Sequence, residues 1–308
     1  MIEGLIALRR ETVAVAYALG WAATKRVPEP VARATFDQIA AQIWRRHGNG
    51  VRQLAANLAR AAPDAGADEL DELTRQAVRS YLRYWLETFR LPVWSDVEVV
   101  GRVRTINETL LRDAYADGGA LVALPHMANW DHAGAWACLT GMPVTTVAEH
   151  LAPERLFRQF VGYRESLGME VLALSAGQDA FRTLISRLRT GHLVCLVADR
   201  DLSATGLSVE LLGHPARLPA GPAALSRMTG AALIPATLSY DGPHLVIRLH
   251  ERIEHQPGPA GVLAMTQRLA DAFSAGIRQH PSDWHMMQRV FVSDLDGGPL
   301  PATRGAPT

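Results

Sequence analysis

At 308 residues with 48% apolar content, the chain is long enough to bury one substantial core. Its 31 basic and 31 acidic residues cancel to a formal charge of +0, which excludes a global field for nucleic acid and leaves local clustering as the only charge signal. The two cysteines, Cys138 and Cys195, both lie in apolar runs, which excludes a disulfide framework and cysteine-based zinc spacing and suits a reducing compartment.

Up to about Arg90 the periodicity is helical: Ile2 to Lys25, Glu29 to His47, Gly50 to Ala61 and Asp68 to Arg90, interrupted at Pro28, at Gly48 to Gly50 and at Pro63 to Ala67. The apolar stretch Thr12 to Ala23, flanked by Arg9, Arg10, Lys25 and Arg26, is too short to span a bilayer. It reads either as a helix lying on an anionic membrane surface or as a core helix of this region. Tyr81, Tyr84, Trp85 and Phe89 recur every three to four residues, a stripe expected to face a core. Pro92 breaks the pattern, and Val97 to Val103 alternates as a strand would, before a helix from Ile106 to Ala116.

Next comes the stretch LVALPHMANWD, Leu121 to Asp131. Its apolar half, Leu121 to Pro125, reads as a short buried strand; Asp131 to Leu139 reads as a helix, so His126 falls in the corner between them. A carboxylate such as Asp131, five residues on, can hold one imidazole nitrogen while the other faces a cleft, which makes a general base. The same spacing also fits a histidine satisfied by backbone at a strand end. His126, Asp131 and His132 lack a third ligand at a recognisable metal spacing, so no metal site is expected.

Strands and helices then alternate. Strands are expected at Val144 to Ala148, Glu170 to Leu174 and Leu193 to Ala198, with helices at Pro153 to Leu167 and Phe181 to Thr190 between them. A helix from Pro222 to Met228, strands at Ala232 to Leu238 and His244 to His250, and a long helix from Gly261 to His280 complete the set. The expected fold class is α/β: a mostly parallel central sheet with helices on both faces and an all-helical N-terminal part. The expected division is a helical part over 1–92, an α/β core over 93–302 and a tail over 303–308.

Asp199, Arg200 and Asp201 follow the strand Leu193 to Ala198, at the end where sheet enzymes place their chemistry. Gly206 to Pro222, with Gly213, Arg217 and Gly221, leads into a helix start and reads as an anion site or as an ordinary capped helix. Arg155, Arg158 and Arg164, mixed with Glu149, Glu154 and Glu165, fit a solvated face. Ala173 to Gly177 (ALSAG) imitates a nucleophile elbow around Ser175, for which Asp241 and His285 would complete a triad.

Two of these blocks, HMANWD and GHPARLPAGPAALSRMTGA (Gly213 to Ala231), together resemble the glycerolipid and lipid A acyltransferases. TVAEHLAPERLFRQFVGYRESLGMEVL (Thr146 to Leu172), VADRDLSATG (Val197 to Gly206), PSDWHM (Pro281 to Met286) and SYLRYWLETFRLP (Ser80 to Pro92) are more narrowly similar to the actinobacterial phosphatidylinositol mannoside acyltransferases. The resemblance implies transfer of a fatty acyl group from acyl-CoA, a co-substrate rather than a cofactor, to a mannose hydroxyl of a phosphatidylinositol mannoside. The enzyme would sit peripherally on the cytoplasmic face of the plasma membrane. His126 would be the base and Asp131 its orienting carboxylate. Asp199 matches a family acid that is Glu, a departure that leaves open whether the shorter side chain reaches the imidazole directly or through water. Arg164 would hold substrate phosphate. Arg200 and Arg217 suit the phosphates of CoA and acceptor, Trp130 and Trp284 offer sugar platforms, and Glu149 and His285 complete the candidate substrate contacts. The rival readings are lipid A-type acylation and a non-catalytic lipid-binding module in which His126 is dispensable.

Overall fold

The computed structural model describes residues 20–149, 154–174, 178–201 and 206–295. The chain opens with α1 (residues 20–24), α2 (Glu29–Arg45), α3 (Asn49–Ala61) and α4 (Ala67–Arg90). Leu54, Leu58, Ala77, Val78 and Leu82 form an apolar cluster between the last three. The aromatic stripe of α4 does face a core: Phe89 and Trp85 pack with Trp21, Phe160 and Tyr163. Trp21 donates its indole N–H to the Phe89 carbonyl at 3.2 Å, so the described end of the Thr12 to Ala23 segment is packed on the body of the protein. Arg9, Arg10 and the rest of that segment lie outside the described residues.

The expected strand at Val97 to Val103 is instead a helix, α5 (Asp96–Gly101), followed by β1 (Val103–Ile106). Ser95 is its N-cap, and Glu98 closes a capping box by reaching back to the Ser95 backbone N–H at 2.9 Å. Two orphan donors are thereby satisfied, which outweighs the β-branched alternation.

After α6 (Glu108–Ala116) the sheet is built from β2 (Ala120–Leu124), β3 (Val144–Ala148), β4 (Glu170–Ala173), β5 (Leu193–Val197), β8 (Ala232–Asp241) and β9 (His244–Leu249). With β1 these make seven strands in the order β1-β9-β8-β2-β5-β3-β4. Every neighbouring pair is parallel except the β8/β9 hairpin. β2 is central and buried at all five positions, as an unbroken apolar run covered on both faces must be. The crossover helices are α7 (Trp130–Leu139), α8 (Glu154–Ser166) and α9 (Gln178–Arg189).

The Gly206 to Pro222 block holds an element that its sequence did not suggest. It is a hairpin of β6 (Leu207–Leu211) and β7 (His214–Leu218), which stands apart from the main sheet and leads into α10 (Gly221–Thr229). The long helix α11 (Gly258–Gln279) crosses β8 so closely that a Cβ at Gly276 would stand 2.4 Å from Thr237 Cγ2. Gly276→Ala should therefore destabilise the protein by about 2 kcal/mol, seen as a lowered denaturant midpoint.

Candidate active site

The carboxyl ends of β2, β3 and β5, neighbours in the sheet, bring His126, Glu149, Asp199 and Arg200 to one edge. Such an edge is where open α/β sheets hold ligands. Asn129 caps α7, its side chain accepting from the His132 backbone N–H at 3.0 Å, so the five residues from Pro125 to Asn129 form the corner. Ala128 in that corner has φ +43, a left-handed conformation uncommon for a non-glycine residue.

The corner is held by a short pairing with the PSDWHM block. Ala128 N–H donates to the Asp283 carbonyl at 2.9 Å, His285 N–H donates to the His126 carbonyl at 2.8 Å, and Met127 and Trp284 form an antiparallel bridge. This places Trp284, fully buried, against the corner. Its role follows from its indole N–H, which donates to Asp199 Oδ2 at 2.9 Å. Trp284 is thus a support of the carboxylate rather than a sugar platform.

Asp199 accepts three hydrogen bonds: His126 Nδ1–H to Oδ1 at 2.5 Å, and the His126 backbone N–H and the Trp284 indole to Oδ2, both at 2.9 Å. Its side chain is 0% exposed while that of His126 is 31% exposed. Burial pushes the Asp199 carboxyl up, but the His126 charge and these hydrogen bonds together hold it below the usual carboxylate range. The aspartate therefore contacts the imidazole directly despite being one methylene shorter than glutamate. With Nδ1 committed, Nε2 is left free and has no hydrogen-bond partner among the described residues. Trp130 meets the imidazole edge to face, with ring centroids 5.3 Å apart.

Asp131 does not orient His126. Its two oxygens are taken by Arg164 Nε–H at 2.7 Å and by the Tyr84 hydroxyl at 3.1 Å. The reason is the helix: Asp131 lies in the first turn of α7 on the side facing α4 and α8, while His126 stands before the cap. Burial works against the charge of Arg164, but the Asp131 carboxylate outweighs it and raises the guanidinium above its ordinary value. Tyr84 also stacks on Trp130 at 4.2 Å, a role the α4 stripe did not disclose. Asp131→Ala would leave Arg164 partly buried without its counter-charge. It should cost about 3 kcal/mol, checked by chemical denaturation.

The other candidates divide. Arg200 pairs with Glu149 at 3.2 Å on the open rim. Arg217 is an exposed residue of β7 with no hydrogen bond or ion pair to the described residues around His126. His285 is buried, with its Nε2–H given to Ser80 Oγ at 2.9 Å, and burial, followed by the His126 charge, lowers its imidazole to about 3. It is a neutral post under the corner, not a substrate contact, because no substrate reaches a ring so enclosed. His132 donates its Nε2–H to the Val99 carbonyl at 2.8 Å, away from His126, and the described residues contain no cluster of metal-ligating side chains. Ser175 lies outside the described residues.

Between α7 and the sheet runs a narrow cavity of about 80 Å³. Its floor crosses five adjacent strands, from Ile247 and Leu249 of β9 through Leu238, Leu124 and Cys195 to Val144 of β3, and Trp130, Asp131 and Arg164 also line it. The rest of its lining is mainly apolar, which suits an apolar guest.

The family model for bacterial lipid A biosynthesis acyltransferases matches residues 5–293. The chain belongs to that family. Within it, the chain is 42% identical over 296 residues to the phosphatidylinositol mannoside acyltransferase of Mycolicibacterium smegmatis (strain ATCC 700084 / mc(2)155), covering 96% of each chain. It is 43% identical over 284 residues to the phosphatidylinositol mannoside acyltransferase of Mycobacterium tuberculosis (strain ATCC 25618 / H37Rv), covering 91% of this chain and 89% of that one. This family member is accordingly an acyltransferase.

Proposed function

We propose that the protein moves a fatty acyl group from acyl-CoA to a mannose hydroxyl of a phosphatidylinositol mannoside, with His126 as general base. The observation that carries this reading is a partly exposed imidazole, fixed by a fully buried carboxylate and in contact with Trp130, which lines a mostly apolar cavity. A thioester is already activated, so the enzyme has to align it with the hydroxyl and remove one proton. Nε2 of His126 takes the hydroxyl proton as the oxygen attacks the thioester carbonyl. The tetrahedral intermediate then expels the CoA sulfur, which receives that proton back from the imidazolium. Asp199 remains ionised throughout and stabilises the imidazolium.

No acyl-enzyme is needed, and neither cysteine suits one: burial raises the Cys138 thiol and pushes Cys195 up to about 12. The cavity matches the donor in length, and its walls have to part to widen the present volume of about 80 Å³ around a fatty acyl chain. Five strands at about 4.8 Å spacing give roughly 19 Å of floor, and C–C bonds of about 1.5 Å near 111° advance about 1.25 Å per carbon, so a chain of about 15 carbons spans it. The mannosylated acceptor is supported by the names of both relatives, and the rim pair of Arg200 and Glu149 offers polar contacts for phosphate and sugar.

A peripheral seat on the cytoplasmic face of the plasma membrane belongs to the same reading. No helix among the described residues is long and apolar enough to cross a membrane. Lys25 and Arg26 line a surface groove with Trp21 and Val93, and Val93 and Val97 are exposed apolar side chains of the same region. Purified protein given palmitoyl-CoA and a panel of mannosylated phosphatidylinositols, unmannosylated phospholipids and lipid A precursors should release free CoA and acylate only the mannosylated lipids, as read by mass spectrometry. Acylation of an unmannosylated lipid or of a lipid A precursor instead would overturn the acceptor assignment. Flotation with anionic vesicles should weaken with salt, since surface attraction is screened over about 8 Å at physiological ionic strength.

A further inference from the structure

Gly134 sits in the middle of α7 without a positive φ, where alanine would favour the helix by about 1 kcal/mol. Backbone conformation therefore gives no reason for a glycine. Space does: a Cβ built on Gly134 would stand 2.6 Å from Met169 Sδ and 3.3 Å from its Cε, with no other residue among its nearest contacts. Gly134 and Met169 both line the cavity between α7 and the sheet. Met169 reaches it from the residue before β4, on the wall beyond β3, with its backbone N–H anchored to the Arg164 carbonyl at 3.2 Å. The thioether thus fills the notch that the missing side chain leaves, and it narrows the bore from one side.

We propose that the Gly134–Met169 contact determines acyl-chain length, with the flexible Met169 side chain acting as the constriction of the bore. This rests on reading the cavity as the acyl site. Methionine has three rotatable bonds and an adaptable thioether. A methyl group added at position 134 displaces its tip, and the space available to that tip is the cavity that both residues line. Gly134→Ala therefore shortens the accepted chain without unfolding the helix. Met169→Ala removes three heavy atoms from the wall and lengthens the accepted chain by about two to three carbons. In the Gly134→Ala/Met169→Ala double variant the added methyl meets no thioether, and long chains are accepted again. Such compensation between contacting residues is not produced by general destabilisation.

The test gives the purified full-length protein and the three variants a competing mixture of decanoyl-, myristoyl-, palmitoyl- and stearoyl-CoA with a mannosylated phosphatidylinositol. Gly134→Ala should lower palmitoyl relative to decanoyl transfer about tenfold, as losing the burial of two methylenes would. Met169→Ala should move the preferred donor to a longer chain, and the double variant should recover palmitoyl transfer. A second readout is independent of turnover: quenching of tryptophan fluorescence by brominated fatty acids, since Trp130 and Trp136 line the cavity. A wild type that transfers no acyl-CoA but binds brominated fatty acids with the expected ranking of variants would sink the acyl-CoA reaction and keep the length determinant. Unchanged chain preference and unchanged quenching across folded variants overturn the proposal.

Discussion

His126→Ala should lower acyl transfer by about two to four orders of magnitude, the range a positioned general base contributes. The fold should survive, because the contacts that hold the corner are made by backbone. The backbone N–H at position 126 still donates to Asp199 Oδ2, and its carbonyl still accepts from His285 N–H. Asp199 keeps the Trp284 indole as a second donor, so the buried carboxylate is not stranded. His126 is not among the residues lining the cavity, so fatty acid binding should also persist. Transfer rates measured beside fluorescence quenching by brominated fatty acids separate the two. Near-normal turnover in a folded variant would end the base assignment, and turnover absent from variant and wild type alike, with binding intact in both, would favour a lipid-binding module.

What could be read from the sequence was whatever local periodicity controls. The switch from the unbroken apolar run of β2 to the helical pattern of α7 marks the His126 corner, and Asp199 stands at a strand end by the same logic. Which carboxylate meets the imidazole is not local. The pairing of β2 with β5 makes residues 73 apart neighbours, whereas Asp131, only five residues away in the sequence, is turned toward Arg164 by the first turn of its helix. Trp284 reaches Asp199 across 85 residues, and only its place in a block of family resemblance pointed to it. The β6/β7 hairpin was hidden for a different reason. Its two-residue loop, Leu212 and Gly213, has positive φ at both positions, 55° and 83°. Turns of that shape are usually announced by Asn-Gly or Asp-Gly, and leucine gives no such signal.

Asp199→Asn should lower transfer by about three to four orders of magnitude, more than loss of charge alone would suggest. The reason is the fixed polarity of the site. Two N–H donors, the His126 backbone and the Trp284 indole, converge on Oδ2 at 2.9 Å and accept only an oxygen there. The amide nitrogen of the substituted side chain is thereby forced into the Oδ1 position, facing His126 Nδ1. Two donors cannot share that hydrogen bond, so Nδ1 must give up its proton and accept. Nε2 then carries the proton and cannot take one from a hydroxyl, the wrong-tautomer defect that an analogous substitution causes in serine proteases at a cost of about four orders of magnitude. The same variant should differ in acid. Because the folded protein holds the Asp199 carboxyl below its unfolded value of about 3.9, its contribution to stability is in place above that value and is lost as pH falls through the lower folded value. Wild-type stability should thus fall on acidification below about pH 4, and the asparagine variant should lack that component. Denaturant midpoints from neutral pH into acid, taken with steady-state rates, check both halves. An asparagine variant with wild-type rates would remove Asp199 from the mechanism, however close it stands to the imidazole.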